Sequence, residues 1–390
     1  MGISIVIFWI LLGIVFYTYL GYGLLMNTII ILRKSNIVNE LHNYTPDVVH
    51  IIAAFNEEDF IEEKVINAID VDYPSEKYKI IVVADGSTDN TVSLIKKFSQ
   101  IELLFQPERR GKMDAINRAV ASVSNDSILV FSDANTMLNN QSIRLMVNHY
   151  RDLKVGGVSG EKRVHAATLG SGFAEGLYWK YESIVKQLES DFYTVVGAAG
   201  ELFSVRKNLF TFNDSSNVLD DLCISLNVCK MGYVVKYEPK AYAIEAPSFS
   251  IADEQKRKTR ISAGAFQSIF YFKELLNVFK YGKLSFQYIS HRLFRWTVCP
   301  IALPLLFVLN IVFVVNKQGL CYDLLMIGQF VFYGLAALGN ILIVRKAKHF
   351  SILIVPFYFV FMHLSVWKGF FKFLQGEQNH IWEKARRQIN

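Results

Sequence analysis

The chain has 390 residues, room for one sizeable soluble domain together with membrane segments. Its apolar fraction of 52% and positive mean hydropathy exceed those of an ordinary soluble domain, and the excess lies at the two ends. A net charge of +6, with Lys and Arg beside the apolar runs, fits a membrane surface or anionic phosphates rather than a nucleic acid, and four cysteines without a C-x-x-C pair give neither a disulfide framework nor a zinc site.

Residues Ile3 to Leu32 carry no charged side chain. At about 1.5 Å per residue they cross a ~30 Å hydrocarbon core. The basic pair Arg33-Lys34 comes after this run instead of before it. That order marks residues 1–34 as an anchor, not a cleaved signal peptide, and places the adjoining central domain in the cytoplasm.

From 35 to 262 the composition is globular. Four short apolar runs, Val48–Ala53, Lys79–Ala84, Glu102–Phe105 and Ser127–Phe131, alternate with helical patterns near Glu57–Asp70, Asp89–Ser99 and Gly111–Ser122. The alternation predicts an α/β domain with a parallel sheet covered by helices, whose ligands bind beyond the carboxyl ends of the strands. Asn56-Glu57-Glu58, Asp85-Gly86-Ser87 and Asp133-Ala134-Asn135 converge there.

Each motif has two readings. Asp85 accepts from a nucleobase N–H, or belongs to an ordinary turn whose Ser87 or Thr88 caps the next helix. Asp133 and Asn135 offer oxygen ligands to Mg²⁺ or Mn²⁺, or form a polar turn. Arg109-Arg110-Gly111-Lys112 opens a helix where Lys112 and the amides hold phosphate, or is a solvated loop. Asp220-Asp221 supplies a general base, or an N-cap pair.

Further on, Phe173, Leu177, Tyr181, Ile184 and Leu188 share one helical face, and so do Ala265, Ile269, Phe272, Leu276 and Phe279. Both sets read as core-facing helices or as helices in the membrane interface; Lys273, Lys280 and Lys283 favour the interface for residues 263–295. Three apolar runs, Val298–Val315, Leu324–Val344 and Ser351–Trp367, fill residues 296–374, and a basic tail occupies 375–390. The basic loop Arg345–His349 belongs in the cytoplasm and the Lys317 loop outside. Three full crossings would put Lys384, Arg386 and Arg387 outside. A third run that is re-entrant or interfacial keeps them inside, and that run is the shortest and carries Pro356 and His363.

Read in order, these pieces resemble family 2 glycosyltransferases, the inverting superfamily that contains cellulose, chitin and hyaluronan synthases. The resemblance implies a Rossmann-like GT-A domain that binds a nucleotide-sugar, set between an N-terminal and several C-terminal transmembrane helices. Ile51 to Glu58 is similar to the opening nucleotide-binding motif, so Ala54, Asn56 and Glu58 inherit donor contacts. Asp85 matches the uridine-binding aspartate, Lys112 the diphosphate lysine, and Asp133 with Asn135 the metal motif, with Asn in place of the second Asp. Gly197 to Arg206 is similar to the acceptor-side loop, which gives Gly200 and Glu201 acceptor roles. Leu219-Asp220-Asp221 aligns with the segment ending in the catalytic base, which makes Asp221 the base and puts Asp220 on the acceptor side. Gln255 to Arg260 stands where the family has Gln-x-x-Arg-Trp; Arg257, Lys258 and Arg260 supply the charge, and the Trp is missing. The implied activity is transfer from a UDP-sugar, with Mg²⁺ or Mn²⁺, to a saccharide or lipid-linked acceptor at the cytoplasmic face. A non-catalytic binding protein that keeps the fold is the competing reading.

Overall fold

A computed structural model describes residues 2–33, 44–165, 171–211, 219–344 and 351–376. Lys34, the Arg345–His349 loop, the Phe173 side chain and the basic residues of the C-terminal tail lie outside what is described. The described chain forms two compact units: residues 33–165 with 178–249, and residues 2–32 with 171–177 and 250–376.

The chain opens with α1 (Gly2–Phe16), a π-helical stretch (Tyr17–Gly21) and α2 (Tyr22–Arg33). Then β1 (Val48–Ala54), α3 (Ile61–Ile69), β2 (Tyr78–Asp85), α4 (Thr91–Ile95), β3 (Ile101–Gln106), α5 (Lys112–Ala121) and β4 (Ile128–Asp133) alternate as expected. The four strands pair in parallel in the order β3-β2-β1-β4. Nearly every residue of β1 is buried because helices cover both faces of the sheet, so the strand reads as a continuous apolar run. One side packs Ile52, Ala54, Ile80 and Val82 against Ile61, Val65 and Ala68 of α3. His50 is the polar exception in β1. Burial holds its pKa well below the usual imidazole value, and the neutral ring bridges the Tyr78 hydroxyl at 2.8 Å and Ser132 Oγ at 2.7 Å.

The four expected parallel strands are half of the sheet observed. β5 (Thr136–Leu138), α6 (Ser142–Asn148), β6 (Val155–Val164), α7 (Ser171–Phe192), β7 (Phe203–Arg206), α8 (Asp220–Lys230) and β8 (Val234–Glu245) extend it to eight strands, in the order β3-β2-β1-β4-β7-β6-β8-β5. β7 runs antiparallel to both β4 and β6, β6 and β8 are parallel, and β5 is antiparallel to β8. β6 escaped the sequence pattern because Gly156, Gly157 and Gly160 stand where β-branched residues signal a strand. Close packing requires the last of these: a Cβ on Gly160 would lie 2.7 Å from Leu202 Cδ2 and 2.8 Å from the Ala241 carbonyl oxygen.

α7 also departs from expectation. Its buried side chains are Glu175, Glu182, Val185, Lys186, Glu189 and Ser190, whereas Ile184 of the expected apolar face is exposed. Glu189 accepts from the Val196 amide at 3.4 Å. The mostly polar face is therefore the one turned inward.

The second unit continues with α9 (Ile251–Tyr271), α10 (Val278–Tyr281), α11 (Lys283–Gln287), a π-helical stretch (Tyr288–Val298), α12 (Cys299–Val315), α13 (Leu320–Val344) and α14 (Ser351–Leu374). Ser250 caps α9 by accepting from the Asp253 amide at 3.1 Å. The second unit takes up the chain again at Ser250, where α9 packs along α14: Phe266 stacks on Phe373 and Phe270 on the same ring. Ala265, Ile269 and Phe272 of the second amphipathic set are buried, but Phe279 is fully exposed because the helix ends at Tyr271. Among the described residues four helical runs are long and apolar enough to cross a membrane, Gly2–Arg33, Lys283–Val315, Leu320–Ile343 and Leu353–Leu374, the last extending beyond the Trp367 expected from sequence.

Gly160→Ala tests the β6 packing. Forcing a methyl into this space should cost roughly 1–3 kcal/mol and lower the melting temperature, while Gly176→Ala should be tolerated, since nothing lies within 4 Å of its Cβ position.

Candidate active site

The carboxyl ends of β1, β2 and β4 form one edge, with Ala54 opposite Ala84 and Ala53 opposite Asp133. Ala54 is buried there. Asn56 comes next in a left-handed conformation, φ 53°, which Asn tolerates better than most residues. Its Oδ1 accepts from the Thr88 amide at 2.8 Å, and Glu58 Oε2 accepts from the Asn90 amide at 3.1 Å. Asn56 and Glu58 thus clamp the loop after β1 to the loop after β2, a structural task the sequence did not announce.

Asp85 ends β2 with its side chain buried. Oδ2 accepts from the amides of Arg110 at 3.0 Å and Gly111 at 2.7 Å, and Oδ1 pairs with Arg118 at 2.7 Å. A carboxylate has about four acceptor positions, so three protein donors leave one for a nucleobase N–H. Asp85 also fixes the loop that carries Lys112. Gly86 has φ 71°, and a Cβ there would lie 2.7 Å from Arg109 Cβ, so the glycine admits this loop.

Lys112 is the first residue of α5, as the basic cluster suggested. Its Nζ lies 2.8 Å from Asp133 Oδ1 and 3.4 Å from Asp220 Oδ2. Burial alone would lower its pKa, but Asp133, Asp220 and Asp221 together raise it, so the side chain is a fixed cation. Asp133 is raised by burial and by the Glu201 and Glu245 carboxylates, against the pull of Lys112.

Asp220 and Asp221 open α8, but Leu219 holds the N-cap position, so neither belongs to the N-cap pair of the alternative reading. Asp221 Oδ1 accepts from the Leu222 amide at 2.8 Å. Its pKa is raised to about 7, first by burial, then by Asp220, with Lys112 and the Leu222 amide opposing. Gly200 leaves the space beside it: a Cβ there would come within 3.2 Å of Asp221 Oδ2. Lys162 binds Glu201 and Glu245, each at 2.5 Å, beneath the Trp179 ring. Lys64, wholly buried, donates to the Thr136 carbonyl at 2.7 Å and is lowered by burial to about 7.

The expected residues Lys112, Asp133, Gly200, Glu201, Asp220 and Asp221 therefore come together. Arg257, Lys258 and Arg260 lie on α9 in the other unit. Arg257 pairs with Glu175 and with Glu254 at 3.1 Å, and Lys258 with Glu254 at 3.6 Å, so their charge is already matched by carboxylates. Lys162, Glu245, Lys64 and Arg118 were missed. All four are charged residues held inward by a charge partner or a backbone carbonyl, and nothing in their spacing sets them apart from surface charge.

The donor set suits a hard cation. Asp133 and Asn135 provide a carboxylate and an amide oxygen, and the carboxylates around Lys112 outnumber its one ammonium. Among the described residues no group of three or more His, Cys, Asp or Glu could hold a metal alone, so an ion here would need further ligands such as phosphate and water.

Asp85→Ala should release the Arg110-Gly111 amides and leave Arg118 unmatched. Breaking a buried pair costs on the order of 3 kcal/mol, and thermal denaturation should show a clear fall. An unchanged melting temperature would mean that Asp85 does not hold the loop.

The family model for glycosyl transferase family 2 matches residues 50–210. The poly-beta-1,6-N-acetyl-D-glucosamine synthase of Staphylococcus aureus strain MSSA476 is 29% identical over 247 residues, which cover 60% of this chain and 56% of that protein. The synthase of the same name from Staphylococcus epidermidis is 23% identical over 243 residues, covering 60% and 58%. The chain thus matches little more than half the length of these relatives. Among solved structures, the mannosyltransferase PcManGT from Pyrobaculum calidifontis, in complex with GDP-Man and Mn²⁺, is similar with a TM-score of 0.69 at 21% identity, over 95% of this chain and 99% of that one, which shows the fold. The mixed sheet, the ordered motifs along its edge and the matched segment together establish that this chain carries a glycosyl transferase family 2 domain of GT-A fold.

Proposed function

We propose that the chain is a membrane glycosyltransferase that moves a sugar from a UDP-sugar to a saccharide acceptor with inversion, in polysaccharide synthesis. The observation that carries this reading is Asp221: a carboxylate with a pKa near 7, beside the space left by Gly200, next to a lysine that bridges to Asp133. A general base works best with a pKa near the working pH. The similarity to the staphylococcal synthases favours a growing saccharide over a polyprenyl-linked acceptor.

In the step, Asp221 takes the proton of an acceptor hydroxyl as its oxygen attacks the anomeric carbon. The bond from that carbon to the diphosphate oxygen breaks on the opposite face, and UDP leaves. Lys112 meets the charge that develops on the leaving group. It exchanges part of its contact with Asp133 for phosphate oxygens. A divalent ion held by Asp133 and Asn135 would offset the remaining charge. Asp220 and Glu201, on the same side as Asp221, accept hydrogen bonds from acceptor hydroxyls. Arg257, Lys258 and Arg260 remain donor-side candidates if a ligand draws them from Glu175 and Glu254.

The proposed cytoplasmic position of the domain is supported by Arg33-Lys34 and by the cluster Lys273, Lys280 and Lys283, since basic segments meet anionic lipid on that side. Exposed Phe270, Tyr271 and Phe279 interleave with those lysines, which fits residues 263–295 lying in the headgroup region.

Asp221→Asn should lose about 10²–10⁴-fold in turnover while keeping UDP affinity, measured by nucleotide release and calorimetry. Asp220→Asn should cost much less. Normal turnover in Asp221→Asn with a dead Asp220→Asn would move the base by one residue; normal turnover in both would remove it from this helix. Chelator should silence the wild-type protein, and full activity in chelator would exclude the metal.

A further inference from the structure

The residues suited to a divalent ion make an incomplete site, and a lysine already occupies part of it. Asp133 and Asn135 offer two side-chain oxygens, whereas an octahedral ion needs about six ligands. One of those oxygens is engaged: Lys112 Nζ donates to Asp133 Oδ1 at 2.8 Å. The same ammonium lies 3.4 Å from Asp220 Oδ2, so it bridges the end of β4 to the start of α8. The lysine side chain is only 15% exposed, and solvent screens the bridge weakly. Among the described residues Lys112 is the cation in contact with Asp133. Lys162 is taken up by Glu201 and Glu245, and Lys64 by the Thr136 carbonyl.

The backbone around the bridge is held in place. Asp85 binds the Arg110 and Gly111 amides just before Lys112, the Thr136 hydroxyl donates to the Asp133 carbonyl at 3.0 Å, and Asp220 sits in the first turn of α8. What can move is the flexible stem of the lysine. A divalent ion and an ammonium on one carboxylate repel each other at short range. In the free protein Asp220 also holds the ammonium where it is. A nucleotide diphosphate changes both sides of this balance. Its oxygens accept from Lys112, and they supply ligands that Asp133 and Asn135 do not.

Resting on the donor reading above, we propose that Lys112 is a latch on the metal site: its ammonium keeps a divalent ion off Asp133 in the free protein, and it yields when a nucleotide diphosphate arrives with the ion. The latch has a consequence of definite sign. Removing the lysine charge tightens the ion in the free protein, although it weakens the nucleotide. A lysine that only neutralised the diphosphate, or only held the fold together, would not tighten the ion.

Mn²⁺ binding to the purified full-length protein decides it, followed by the electron paramagnetic resonance signal of the free ion, with and without UDP and against UDP alone as the blank. The wild-type protein should bind Mn²⁺ at least about tenfold more tightly with UDP than without, and by linkage Mn²⁺ should tighten UDP by the same factor in calorimetry. Without UDP, Lys112→Met should bind Mn²⁺ at least about tenfold more tightly than wild type, on the scale of ordinary coupling between sites. Lys112→Arg, which keeps the charge, should not. Adding Asp133→Asn to Lys112→Met should abolish the gain. Lys112→Gln serves as a second uncharged variant, and circular dichroism checks that each is folded. Mn²⁺ held equally well by the wild-type protein with and without UDP overturns the proposal. So does an affinity in folded Lys112→Met or Lys112→Gln no higher than in wild type; with the wild-type coupling intact, that result leaves the donor reading standing. Mn²⁺ that fails to bind even with UDP removes the latch and the metal-assisted donor reading together.

Discussion

One ammonium among several carboxylates organises the catalytic edge. Lys112 touches Asp133 and Asp220, and the field of Asp221 also holds its proton in place. Opposed charges this close interact at several kcal/mol even at an effective dielectric constant of about 20, so the position of Lys112 governs that of its neighbours. Asp85 sets it in turn, by binding the two amides that precede α5 and by pairing with Arg118. Carboxylates remain in excess, and that excess makes room for a cation and pushes the Asp221 proton affinity upward.

That arrangement has a stability cost with a definite sign. A buried Asp221 whose pKa has risen to about 7 binds its proton more tightly folded than unfolded. Its contribution therefore favours the folded state at low pH and is lost as pH rises from the ordinary carboxylate range through about 7. Lys112, raised by its carboxylate neighbours, stabilises the fold across the same range and would lose that contribution only at strongly alkaline pH. The site thus keeps a strained base beside a fixed cation, as expected where function sets the charges.

The sequence made the first half of the domain legible because β1 to β4 are short, β-branched and separated by helices with clear periodicity. The acidic turns at their ends stood out for the same reason. Asp221 and Lys112 were found through motif order. The second half was hidden by Gly156, Gly157 and Gly160, by a helix that buries Glu182, Lys186 and Glu189, and by strands whose pairing is antiparallel. No local pattern distinguishes a buried Lys162 between two carboxylates from a solvated one. The loop-holding contacts of Asp85 were hidden for a related reason: its donors come from residues 110, 111 and 118, and only folding brings them together. The start of α14 at Ser351 was legible, but its last turns from Lys368 to Leu374 were not.

The proposed catalysis turns on Asp221 acting as a base with a proton affinity tuned by burial and by Asp220. The most direct measurement is the pH dependence of kcat/KM for UDP release, with purified protein, an active UDP-sugar and a saturating divalent ion. The expected profile is a rise through a single ionisation near pH 7, absent from the residual activity of Asp221→Asn. A profile without that rise, or the same ionisation surviving in Asp221→Asn, would contradict it.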